Sequence, residues 1–201
     1  MMAAVQEPRI GPNAVIQVAA ALEDRLGSPR AGELMRSAGL GAYLGTPPQR
    51  MIAEREVIAL HTAIRERLQP ATASEVARAA GFATGDYLLA HRIPRLAQLG
   101  LQALPARLAA PALLRAITRH AWTFAGSGQF AAKAGRPIVI AIGNCPICRG
   151  AQAAHPLCDY YAATFSRLFT RLVHRHAQVL ETACMAAGAA ACRFEVAWDS
   201  G

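Results

Sequence analysis

The 201 residues are 53% hydrophobic and 17% charged, enough to bury one sizeable core without staples and too apolar for a disordered segment. The formal charge of +8 comes from 20 Arg and the single Lys133. The arginines are spread along the chain without a basic run, and no finger, basic-zipper or RNP motif occurs. Nucleic acid is therefore not the expected partner, and the basic side chains read as solvated helix faces.

The first two thirds read as helices. Asn13 to Leu26 is apolar at helical spacing and stops at Gly27. Pro29 to Ala38 forms a short second helix ending at Gly39. After G-T-P-P, residues 49–68 form the clearest helix, with Val57, Leu60, Ile64 and Leu68 on one face and Glu54, Arg65 and their charged neighbours elsewhere. Pro70 closes it. Thr72 precedes Glu75 by three, a capping signal, and Gly81 ends that helix. Thr84 to His91 forms another, up to Pro94. Pro105 and Pro111 punctuate a further helical run to about His120.

The pattern changes near residue 121. A-W-T-F-A-G-S-G-Q-F-A-A and P-I-V-I-A-I read as two strands joined by a turn at K-A-G-R. A Cys-containing loop, 143–156, follows. Leu157, Tyr161, Phe165, Leu168 and Leu172 then step by three and four, an amphipathic helix to about Arg175. The end is strand, tight turn, strand, with Cys192, Phe194, Val196 and Trp198 on the buried face. The expected fold is α+β: a helical N-terminal region (1–118) packed on a four-stranded antiparallel sheet ordered strand-strand-helix-strand-strand (119–201).

No charged-then-apolar leader opens the chain and no apolar run reaches 18 residues. A cytoplasmic protein without a transmembrane segment is expected, with peripheral attachment to a membrane left open. Its five cysteines would then be reduced and available for metal or catalysis. Cys145 and Cys148, in G-N-C-P-I-C-R-G, are a redox dithiol, half of a zinc site, or neither. A thioredoxin-like reading is poor, because the pair follows a hairpin and few residues remain for the rest of that fold. A four-Cys site that includes the pair stays open. The loop reads best as a cavity wall or docking surface, with Arg149 projecting. Cys158, Glu181, Cys184 and Cys192 are the stronger tetrahedral donor set. Positions 181 and 184 face opposite ways in a straight strand, so both can ligate one ion only if the strand ends or bulges between them. The bland alternative is that these cysteines are small buried hydrophobes.

Cys158 with its aromatic helix, Glu-x-x-Cys at 181 and 184, and Cys-x-Phe at 192 and 194 resemble the four-vinyl-reductase ligand-binding domain. That domain is similar to trafficking-complex subunits and to the aromatic-sensing input domains of bacterial activators. The resemblance implies a zinc site at Cys158, Glu181, Cys184 and Cys192. The sequence departs from the family after the turn: Gly188 is followed by Ala189, where an acidic residue is usual. W-T-F-A-G-S-G, N-C-P-I-C-R-G and the helical N-terminal half extend the resemblance to the bacteriochlorophyll 4-vinyl reductase family.

That family implies a magnesium-tetrapyrrole ligand, such as a magnesium-porphyrin or protochlorophyllide. Magnesium chelatase large subunit and magnesium-protoporphyrin methyltransferase are the implied partners, and a homodimer is allowed. The favoured role is an accessory or carrier protein. The alternatives are an 8-vinyl (4-vinyl) reductase, for which no nicotinamide or flavin motif is visible, and a sensor of a small aromatic ligand. Candidate pigment contacts are His120 (for magnesium), Trp122 and Phe124 (aromatic walls), and Cys148 with Arg149, the latter for a propionate. Against each stands a plainer role: core packing for Trp122 and Phe124, a helix end for His120.

Overall fold

The computed structural model describes residues 7–198. The elements run β1 (Arg9–Ile10), α1 (Asn13–Leu26), α2 (Ser28–Ser37), β2 (Ile52–Ala53), α3 (Glu54–Arg67), α4 (Pro70–His91), α5 (Arg95–Ala103), α6 (Ala106–His120), α7 (Trp122–Ala125), β3 (Gln129–Lys133), β4 (Ile138–Gly143), α8 (Asp159–Leu172), β5 (Gln178–Ala183) and β6 (Cys192–Ala197). The α+β class and the four-stranded antiparallel sheet match expectation; the sheet order is β3-β4-β6-β5.

The inner face of the sheet follows from strand alternation. Ile138, Ile140 and Ile142 on β4 are buried, and their partners across the ladder are Val196, Phe194 and Cys192 on β6. Helix α8 lies on that face, burying Tyr161, Phe165, Leu168, Phe169 and Leu172. Its other flank packs on α4, which packs in turn on α1. The molecule is thus layered as sheet, α8, α4, α1, with one continuous hydrophobic core.

Three expectations are corrected. Gly81 does not end a helix: α4 runs unbroken through Gly81 and Gly85, with Pro70 at its start. Both glycines face α8. A methyl at Gly81 would strike the Tyr160 carbonyl oxygen and come within 2.8 Å of Ala163 Cβ; one at Gly85 would come within 2.6 Å of Arg167 Cβ. The glycines serve helix–helix approach, and sequence punctuation cannot distinguish that from a stop. Second, the segment from Trp122 to Ala125 is a short helix rather than the start of a strand, so β3 begins only at Gln129. Third, the predicted helix at 49–68 starts at Glu54, because Ile52 and Ala53 pair with Ile10 and Arg9 in a small second sheet. Glu56 anchors that start by accepting from the Ala53 N–H at 3.2 Å.

Candidate functional site

The five cysteines converge. Register pairs Ile142 at the end of β4 with Cys192 at the start of β6. The chain then reverses at Asn144, which takes the left-handed φ of 49°, and the C-P-I-C loop folds back against the inner face. Cys145 Sγ lies 3.6 Å from Cys158 Sγ, Cys148 Sγ lies 3.3 Å from Cys192 Sγ, and Cys158 and Cys192 are 3.5 Å apart. Cys184 Sγ is 3.8 Å from Cys192 Sγ. All five side chains are buried and none is in a disulfide. The expectation that Cys145 and Cys148 form only a cavity wall is therefore corrected: both thiols enter the cluster. What the sequence did not show is the backward turn at Asn144.

Two overlapping donor sets result, each with its ligand atoms within 4.8 Å of one another: Cys145, Cys148, Cys158, Cys192, and Cys158, Glu181, Cys184, Cys192. The second needs a break in β5, and the strand has one. Its register with β6 slips between Glu181 and Ala183, a bulge that brings Cys184 to the same side as Glu181. Gly188, at φ +89°, turns the chain, and the Ala189 N–H closes it on the Cys184 carbonyl at 3.1 Å. The turn forms without an acidic residue at 189.

The electrostatics suit a cation. Glu181 Oε2 accepts from the Cys158 N–H at 2.7 Å, while Oε1 is buried without a partner. Burial, first, and the neighbouring Cys184 push its carboxyl up to about 8. A carboxyl and four or five thiols crowded together cannot all ionise. Hydrogen bonds from the other thiols, Cys145 foremost, hold Cys148 well below the ordinary thiol range, while Cys192 is held well above it by Cys145 and Cys148. The Met185 N–H also donates to Cys192 Sγ at 3.5 Å. Such a donor set fits a thiophilic, tetrahedral divalent metal, which would let several of these groups ionise together.

Helix α3 covers the cluster with residues not anticipated as site residues. Arg65 donates to the Ile147 carbonyl at 2.7 Å, and its charge lies near the thiols. His61 is buried with Nε2 unpartnered and is pushed down to about 3, by burial first and then by Arg65. The i, i+4 spacing of His61 and Arg65, beside the buried stripe of Leu60 and Ile64, was the available signal.

Arg149 does not project. It donates to Glu54 Oε1 at 2.9 Å and to the Asn144 carbonyl. Glu54, almost fully buried at the start of α3, also accepts from the Ser127 N–H (3.1 Å) and the Ser127 hydroxyl (2.8 Å). Gly126, at φ +58°, is pressed against it: a Cβ there would lie 2.6 Å from Glu54 Oε1. A-G-S-G is thus the seat of a buried carboxylate. Among the other predicted pigment contacts, Cys148 is committed to the thiol cluster. Phe124 packs edge-on against Phe130 at 5.5 Å and Tyr161 at 5.9 Å, within an aromatic cluster that includes Phe165 and Phe194. His120 is exposed at the end of α6, and Trp122, 63% exposed, is not a core residue. An open cleft of about 400 Å³ lies beside them, lined by Pro111, Leu114, Arg115, Thr118 and Arg119 of α6 and by Ala132 and Ala134 at the β3–β4 hairpin.

The sheet, α8 and the thiol corner together define a four-vinyl-reductase (V-4-R) domain, whose family model matches residues 138–197. The chain is 47% identical over 188 residues to the bacteriochlorophyll synthase 23 kDa chain of Cereibacter sphaeroides, covering 94% of this chain and 90% of that one. It is 40% identical to the Rhodobacter capsulatus protein of the same name, covering 94% and 86%. The chain belongs to this family of bacteriochlorophyll synthase 23 kDa chains, which carry the four-vinyl-reductase domain. Its fold is also that of H-NOX proteins. A mutant from K. algicida, in an unliganded Fe(II) form, aligns with a TM-score of 0.61 at 9% identity, over 95% of this chain and 97% of that one. One from S. oneidensis, in the Fe(II)NO state, aligns at 0.55 and 11%, over 95% and 100%.

Proposed function

We propose that the protein acts in bacteriochlorophyll biosynthesis by binding a magnesium-tetrapyrrole intermediate and presenting it to pathway enzymes, as an accessory or carrier. The observation that carries this is kinship along 94% of the chain with bacteriochlorophyll synthase 23 kDa chains. The ligand surface we favour is the α6 cleft. Its floor is apolar, Arg115 and Arg119 stand at its rim for propionate carboxylates, and His120 and Trp122 follow directly on the helix. Phe124 contributes from beneath as part of the aromatic core. Cys148 and Arg149 hold the neighbouring corner in place and do not touch pigment. Magnesium chelatase and the methyltransferase that follows it are the partners this role implies.

The thiol corner is proposed as a zinc site with Cys158, Glu181, Cys184 and Cys192 as ligands. The unpartnered Glu181 oxygen and the bulge that aims it support this set. With four protein ligands the ion would be a structural cross-link.

The test is absorbance titration of purified protein with magnesium-protoporphyrin and with divinyl protochlorophyllide. The expected result is saturable binding of at least one, weakened about tenfold when Arg115 and Arg119 are both changed to Gln. Failure of both pigments to bind would sink the carrier role. Formation of an ethyl product with NADPH or reduced ferredoxin would replace it with the reductase reading.

A further inference from the structure

Helix α5 is inside out. Its buried residue is Gln98, which donates to the carbonyls of Leu89 and Ile93 at 2.5 and 2.8 Å and so caps the end of α4. Its leucines are left outside: Leu96 is 82% exposed, and Leu99, Leu104 and then Leu108 at the start of α6 are also exposed. Exposed leucines in such a run are not needed for the core and mark an interaction surface.

Charge shows what the surface meets. The arginines are spread along the chain, but the carboxylates are not. Residues 87–158 contain eight Arg and Lys and no Asp or Glu, so the entire formal charge of +8 resides there, while the remaining residues carry thirteen of each sign. Arg92, Arg95 and Arg107, which flank the leucines, are exposed. Among the described residues no ion pair involves them. Among the described residues, no helix is long and apolar enough to cross a membrane.

We infer that the α5–α6 corner is a docking surface for an anionic lipid bilayer, with Leu96, Leu99, Leu104 and Leu108 entering the headgroup–acyl boundary and Arg92, Arg95 and Arg107 pairing with lipid phosphates. Apolar side chains ringed by arginines that lack a carboxylate partner match that interface on both counts. A neutral protein groove would need no such charge, and nucleic acid would not reward the leucines. The inference stands apart from the pigment reading, because none of these residues lines the α6 cleft.

The experiment is co-sedimentation of the full chain with vesicles of phosphatidylcholine alone and with about a quarter phosphatidylglycerol. Binding to the anionic vesicles is expected, falling at least about tenfold with neutral vesicles or at high salt. The same loss is expected for the quadruple change of Leu96, Leu99, Leu104 and Leu108 to Ser. These side chains are exposed, so the variant should keep its circular dichroism and its pigment binding; a second variant, R92Q/R95Q/R107Q, tests charge without touching the leucines. No binding to anionic vesicles, or equal binding by wild type and both variants, would overturn the inference. So would a wild-type dimer in solution that the leucine variant converts to monomer, since the face would then belong to a second copy.

Discussion

Glu54 illustrates how much of this fold turns on single side chains. Burial alone would raise its carboxyl above 4.5, but the hydrogen bonds from Arg149 and Ser127 outweigh burial and hold it below that value. A carboxylate stabilised in this way strengthens the fold above its unfolded pKa, and the contribution is lost as pH falls through the lower folded value. Glu54→Ala leaves a half-buried guanidinium and the Ser127 donors without their acceptor, and should cost about 2–4 kcal/mol at pH 7 in urea unfolding. The gap to wild type should shrink as pH drops below about 4, where the wild-type carboxyl also becomes neutral. An unchanged gap from pH 7 to pH 3 would show that the charge plays no part. The motif that holds Glu54 was visible as W-T-F-A-G-S-G, but its partner lies 73 residues earlier. Local pattern therefore suggested a strand and a hairpin, and the carboxylate seat was not legible.

At the level of elements, what could be read from the sequence was what local chemistry determines. Helix α1 stops where Gly27 stands, β6 alternates as its residues demand, and the bulge required by Glu181 and Cys184 is present in β5. What failed was anything decided by a neighbouring element. In α4 the glycines look like stops because in most local settings they are, yet here they admit α8. Gly81→Ala places a methyl against backbone, whereas the Gly85 methyl meets the flexible Arg167 side chain. The first should destabilise by about 1–3 kcal/mol or more and the second by less, despite the higher helix propensity of alanine. Denaturant midpoints of the two variants decide the matter. If both are stabilising, α4 and α8 are not in close contact.

For the whole molecule, the thiol corner matters because it ties together segments that are distant in sequence. The loop after β4, the start of α8, the end of β5 and the start of β6 all contribute to it, while the helical layers α1 and α4 meet the sheet only through α8. Metal bound there stabilises the folded state by mass action, since the unfolded chain has no such site. At zinc about a thousandfold above its dissociation constant the gain is about 4 kcal/mol, which for a chain of this size raises Tm by about 10 °C. Chelation should therefore lower Tm by that amount and raise hydrogen exchange in 143–158 and 184–192 well before it does so in α1. The ligand set follows from variants measured the same way. Cys158→Ser and Cys192→Ser should abolish zinc in either arrangement. Cys184→Ser should lose zinc while Cys145→Ser keeps it, if Glu181 completes the tetrahedron. The reverse pattern would assign the ion to Cys145, Cys148, Cys158 and Cys192. Less than half an equivalent of zinc in freshly purified wild type, with no effect of chelator on Tm, would leave the corner as packed thiols and remove the metal from the account altogether.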